Sequence, residues 1–274
     1  MKLEAVGRDL IYEKVDPDNA KQIEDASLQE REGFGTGLDP QELPPVLQYI
    51  ARNGDIWLQY VLENGQKNPT GVVEFIPLKK TLQYDLQTID AGEYDLSISP
   101  LTIIMKNQER VFRDIRKFAE DKDIVYHHGI AMSRKGKGYG TLLLKYALDN
   151  TPYVKNSIVV CYPDAAQLDE ETEELQLAPN EDSFTLHLKA GFVLAGVVDP
   201  PVYDETLTYY SFVKVEGEYA RLKLNWRTIE TLNLTEGASA SAVLERVRQL
   251  TSMGYLGTGY DKKTHQMVFL KKEE

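Results

Sequence analysis

Apolar positions along the chain recur first at strand spacing and then at helix spacing, and the changes of period mark the elements. LIYEKV opens with a short apolar stretch, and PDNAKQIEDASLQERE then reads as a helix. LPPVLQYIARNG predicts a second, short helix; its prolines suit a first turn and Asn53-Gly54 suits its end. DIWLQYVLE and TGVVEFIPL are expected to pair as a hairpin across NGQKNP. YDLSISPLTIIM contains a strand candidate. QERVFRDIRKFAEDKD puts Val111, Phe112, Ile115 and Phe118 near one helical face. IVYHHGIAM is an apolar strand running into SRKGKGYG. TLLLKYALDN continues as a helix, with Leu142, Leu143, Tyr146 and Ala147 on its buried side and Pro152 as its limit. SIVVCY, FVLAGVV and LTYYSFVKV are further strands, and SFTLHLKAG is a short helix. The tail reads as a strand at RLKLNW, a helix at ASASAVLERVRQLTSMG and a hairpin at YLGTGYDKKTHQMVFLKK.

Composition narrows the class. The 274 residues are 42% hydrophobic and 27% charged, which excludes a collagen-like or fully disordered chain. No apolar run approaches the ~20 residues of a membrane span. The N-terminus does not read as a secretory signal. Cys161 is the single cysteine, so an intrachain disulfide or a multi-cysteine zinc site is excluded. These features imply a cytoplasmic protein with no membrane partner and no metal. The net charge of -12 disfavours nucleic acid as a partner and allows a cationic substrate. Charge is uneven: residues 219–274 carry +3 and the chain before them -15, which suggests a boundary at 217/218. Between Asp164 and Asp182 lie eight acidic residues and no Lys or Arg, expected as a solvated loop or helix, or as a rim attracting cations.

HHGIAMSRKGKGYGTLLLKYALD carries the most local information. A strand enters a turn containing Gly136, Gly138 and Gly140, and a helix leaves it. Such glycines permit close backbone approach, and the first N–H groups of the helix can face a phosphate. Lys135 and Lys137 add positive charge. A purely structural loop is the other reading. The spacing is neither that of a Walker P-loop nor a good dinucleotide fingerprint.

Residues 130–140, IAMSRKGKGYG, resemble the acyl-CoA pyrophosphate loop of the GCN5-related N-acetyltransferase (GNAT) superfamily. Gly138 and Gly140 match its Arg/Gln-x-x-Gly-x-Gly/Ala pattern, Lys135 replaces the usual Arg or Gln, and Met132 stands where many members have Pro. Asn180 to Phe192, NEDSFTLHLKAGF, resembles the family's Asn-x-x-Ser/Ala…Tyr/His-x-x-x-Gly-Phe segment. The likeness covers about residues 3–215, with an extended connection at 78–124. It implies an α/β fold of α+β type: a mixed, strongly bent central sheet with helices on both faces. Residues 1–217 would form the acyltransferase domain, and 218–274 a small C-terminal α/β extension. Acetyl-CoA, or another acyl-CoA, would be the co-substrate. Ile130, Ala131 and Met132 on the fourth strand, the turn residues Lys135, Gly136, Lys137, Gly138, Tyr139, Gly140 and Thr141, and Asn180 with Ser183 would line it.

The chemistry implied is direct transfer of the acyl group to an amine in a ternary complex. The amine must lose a proton before attack. His127, His128 and Glu74 are the candidate bases. Strand alternation places the two histidines on opposite faces unless a bulge intervenes. His187, Tyr209 and Tyr210 are candidate acids for the leaving thiolate. Each has a bland reading too: packed histidines, a solvent-facing Glu74, strand tyrosines, and a helix cap for Asn180 and Ser183. Cys161 is expected in the core. The acceptor is a small-molecule or protein amine, and a homodimer is allowed. Two other readings stand: a non-catalytic acyl-CoA-binding regulator, and an interaction module built on residues 219–274.

Overall fold

Asn64 and Gly65 both adopt positive φ, 53° and 77°. Two consecutive left-handed residues make a tight turn whose twist matches that of the flanking strands. β2 (Asp55–Glu63) therefore returns at once as β3 (Gln66–Pro77). The connection is two residues long, shorter than the NGQKNP segment expected, because Lys67 and Asn68 already pair with Leu62 and Val61.

The computed structural model describes residues 10–34, 43–77, 80, 124–134, 137–154, 157–161, 164–168, 175–198, 201–202, 205–206, 209–215, 224–234 and 240–272. The strand and helix expected within 78–123 lie outside these residues, as do Lys135 and Gly136 of the glycine turn. The described residues group into two compact units, one within 1–80 and 125–155, the other within 81–124 and 156–274.

In the first unit, β1 (Leu10–Lys14), β2, β3 and β4 (Ile124–Met132) lie side by side, each antiparallel to the next. β2 and β3 are buried on both faces. α1 (Ala20–Phe34) covers one face, where the Tyr60 hydroxyl donates to Asp25 at 3.2 Å. α2 (Leu43–Asn53) packs beside α1 and buries Leu43, Leu47 and Ile50. α3 (Tyr139–Asn150) covers the other face: Trp57 Nε1 donates to Thr151 Oγ1 at 3.0 Å, and Tyr146 stacks on Tyr12 at 4.1 Å. The helix starts at Tyr139, ahead of the expected Thr141. Its buried stripe is Leu143, Leu144, Ala147 and Leu148, one residue round from expectation. Leu142 and Tyr146 sit at the margin, because Tyr139 and Gly140 also turn inward.

In the second unit the strand order is β5 (Ile158–Cys161), β11 (Tyr209–Val215), β8 (Val193–Val198), β13 (Tyr255–Asp261), β14 (Gln266–Lys272) and β12 (Leu224–Asn233). α4 (Glu181–Lys189) packs on β13, and α5 (Ala240–Ser252) on β8 and β13. β6 (Asp164–Leu168) and β7 (Leu175–Pro179) form a separate hairpin, and the short strands β9 (Pro201–Val202) and β10 (Glu205–Thr206) pair with each other. For β6 and β7, this corrects the loop or helix expected there: short apolar runs on either side of the acidic residues can pair. The tail joins the sheet through Gly257, paired with Leu194. A Cβ on Gly257 would lie 2.8 Å from that of Leu194. The contacts thus group the tail with residues before position 217. Among the described residues no helix is long and apolar enough to cross a membrane.

Candidate active site

The pairing of β3 with β4 slips by one residue in mid-strand. Glu74 lies opposite Gly129 and Phe75 opposite His127, which leaves His128 as an extra residue on β4. Such a bulge bends its strand and re-aims the side chain it carries. His127 is buried, its Nδ1 3.0 Å from the Glu74 carbonyl oxygen and its ring 5.0 Å from that of Phe75. That is the packed, hydrogen-bonded environment of a core histidine. His128 instead places Nδ1 2.6 Å from Glu74 Oε2, and its side chain keeps 25% exposure while that of Glu74 has none. If Nδ1–H donates to the carboxylate, Nε2 is the basic nitrogen.

A third group, Glu30 of α1, completes the cluster. One donor atom each from Glu30, Glu74 and His128 lie within 4.8 Å of one another. Gly33 makes this approach possible: a Cβ there would stand 2.5 Å from the Ala131 Cβ, so α1 rests directly on β4. Burial, then the neighbouring Glu74 charge, holds the Glu30 carboxyl well above its usual range. Burial also raises Glu74 to about 7, against a hydrogen bond from Glu30 that favours its ionised form. Of the pair, Glu30 holds its proton the more tightly. Beyond the Glu30 carboxyl, no hydrogen-bond donor among the described residues reaches Glu74 Oε1.

β4 then leads into the glycine turn. Ile130, Ala131 and Met132 lie opposite Val73, Val72 and Gly71. The Ser133 amide donates to the Thr70 carbonyl at 3.2 Å. Arg134 forks onto Glu63 at 2.5 and 2.9 Å, so its charge is already matched. Lys137 and Gly138 are exposed. Gly138 takes φ 74° at the N-cap of α3, where no side chain caps the helix and the first turn holds no acid. A Cβ on Gly138 would meet nothing within 4 Å. The leading amides at Tyr139, Gly140 and Thr141 and the positive end of the helix dipole are the groups with which a helix N-terminus can meet an anion.

The remaining candidates lie in the second unit. Asn180 Oδ1 accepts from the Ser183 amide at 3.0 Å and so caps α4. His187 is fully buried, edge-on to Phe192 at 5.2 Å. Its Nδ1 lies 2.7 Å from the Ser183 carbonyl oxygen, so that nitrogen carries the proton. Burial lowers the imidazole to about 4, which keeps it neutral with Nε2 unprotonated. Tyr209 and Tyr210 open β11 opposite Val198 and Val197. Cys161 is buried.

Of the candidate bases, the fold brings Glu74 and His128 together and leaves His127 in the core. Sequence reasoning passed over Glu30, although a signal was there. Ile23, Ala26, Glu30 and Gly33 recur at helical spacing, and the first three are buried. A carboxylate set in such a stripe needs a partner.

No protein-family model matches the sequence, and no curated protein sequence matches it. Solved structures do match. A mosquito arylalkylamine N-acetyltransferase-like protein is 12% identical at a TM-score of 0.50, covering 75% of this chain and 99% of that one. A polyamine N-acetyltransferase of Drosophila melanogaster is 11% identical at 0.49, covering 76% of this chain and 100% of that one. An acetyltransferase of the GNAT family from Streptococcus pneumoniae is 16% identical at 0.40, covering 76% and 100%.

Proposed function

We propose that this chain, which has the fold of the GCN5-related N-acetyltransferases, transfers an acyl group, acetyl by default, from acyl-coenzyme A to a primary amine. The observation that carries this reading is the course of β4. Its bulge turns His128 onto Glu74, and its end leads through the glycine turn into the uncapped N-terminus of α3.

Bound acyl-coenzyme A would supply an activated thioester carbonyl. The amides at Tyr139, Gly140 and Thr141 would hold its diphosphate, with Lys137 adding positive charge. Ile130, Ala131 and Met132 would present backbone to the acyl end, where a strand amide can stabilise a developing oxyanion. A protonated amine has no lone pair to attack with, so a base must take its proton. His128 Nε2 fills that role. Glu74 accepts from Nδ1–H, fixes the tautomer and stabilises the imidazolium that forms. Glu30, hydrogen-bonded to Glu74, positions that carboxylate. Direct transfer needs no acyl-enzyme, so buried Cys161 takes no part.

The test is an assay of the full chain with acetyl-CoA and a panel of primary amines, read by mass spectrometry of the acylated product and by release of free thiol. Product and thiol in equal amounts support the reading. Gly138→Val puts a β-branched residue at a φ that disfavours it. It is expected to weaken CoA binding by about tenfold or more, measured by calorimetry. A wild-type chain that binds neither CoA nor acetyl-CoA would overturn the proposal. Binding without turnover on any amine would favour an acyl-CoA-binding regulator.

A further inference from the structure

We propose that Glu30, Glu74 and His128 form a binding site for a divalent first-row transition ion, with Zn2+ as the probe. The donor set is one imidazole and two carboxylates, a combination such ions accept. Their donor atoms already lie within 4.8 Å of one another. Around a four-coordinate zinc at its usual bond lengths, donor atoms sit roughly 3.3 Å apart. An ion bound there would draw the three donors in to that spacing.

Two further observations point to a cation. Glu74 is fully buried, and beyond the Glu30 carboxyl no hydrogen-bond donor among the described residues reaches its Oε1. A buried carboxylate oxygen in that state carries an electrostatic cost. The second is charge balance. Glu30 and Glu74 are both buried, and the other potentially cationic group in the cluster is His128. A single shared proton cancels one of the two negative charges; a dication cancels both. His128, partly exposed, gives the ion its way in. The backbone holds the three donors on separate elements: α1 pressed on β4 at Gly33, β3 in mid-sheet, and the β4 bulge. The imidazole proposed as the base is one of the ligands, so a bound ion and an attacking amine exclude each other.

The experiment is calorimetric titration of Zn2+ into the EDTA-treated, re-purified full chain, without acyl-CoA, so that its outcome is independent of acyl transfer. Co2+ is titrated in parallel and followed by visible absorption. Saturable one-to-one binding is expected, with Co2+ bands of a low-coordination site. Glu30→Gln and His128→Gln are each expected to weaken binding at least about tenfold. His265→Gln, at a surface histidine paired with Glu181, is expected to leave it unchanged. Circular dichroism checks that each variant folds; His128→Gln, at the more exposed position, keeps the test intact should Glu30→Gln fail to fold. No saturable binding to the wild-type chain would overturn the proposal. So would binding that survives His128→Gln, or that is lost in His265→Gln.

Discussion

Glu74 and His128 differ in one property that bears on their proposed roles. Glu74 is sealed in the sheet, and His128 keeps a quarter of its side chain open. In the proposed transfer the imidazole is therefore the proton acceptor that meets the amine, and the carboxylate works through it. His128→Ala is expected to lower kcat by about 100-fold or more while the KM for acetyl-CoA stays within about twofold, since general base catalysis contributes on that scale. A kcat within threefold of wild type would remove His128 from the mechanism. His187 is a contrasting residue: burial holds it neutral, with a folded pKa of about 4 against an ordinary 6.5. Between those values the unfolded chain binds a proton that the folded chain does not, so stability falls as pH drops from about 6.5 to about 4 and is unaffected by this group above that window. The full loss is about 3 kcal/mol. Urea melts across that range should show the decline, and His187→Phe should flatten it. An unchanged slope in the variant would place the titration elsewhere.

At the scale of elements, the contact of α1 with β4 governs whether the site exists. Gly33 has no side chain, and any Cβ there collides with Ala131 and comes 2.9 Å from its Cα. Backbone cannot yield as a flexible side chain does. Gly33→Val is therefore expected to lift the end of α1 off the strand, lower stability by about 1–3 kcal/mol and draw Glu30 away from Glu74. Thermal melting gives the first effect, and loss of acyl transfer beyond the folded fraction gives the second. A variant as stable and active as wild type would show that α1 does not need this approach. The elements themselves were largely legible, because amphipathic spacing dictates which residues face inward. α1, α2, β2 and the β13–β14 hairpin all fall where the pattern placed them. The β6–β7 hairpin did not, since a dense block of carboxylates masks two short strands when read by composition.

At the scale of the whole molecule, the tail is the informative segment. Its charge suggests a boundary at 217/218, and across that point β13 hydrogen-bonds to β8 and the Tyr260 hydroxyl donates to Glu181 of α4 at 2.7 Å. Phe184 of the same helix lies edge-on to Tyr260 at 6.0 Å. A chain ending at Gly217 would leave β8 without that neighbour and α4 without that support. It is expected to lose a cooperative thermal transition, as read by scanning calorimetry. A truncated chain that melts sharply at the full-length temperature would mark residues 218–274 as an independent extension.

Local order in the residues determined the periodicities, the tight Asn64-Gly65 turn and the glycine-bearing entry to α3, because those depend on backbone preferences and on which face of one element is apolar. It also named Glu74 and His128 as chemistry-bearing groups. Tertiary structure alone decided which histidine meets Glu74, because a single-residue slip between two strands cannot be read from either strand. Likewise it alone brought Glu30, 44 positions from Glu74, into the same buried cluster. Long-range packing sets such distances, and packing depends on the shape of neighbours that lie far away along the chain.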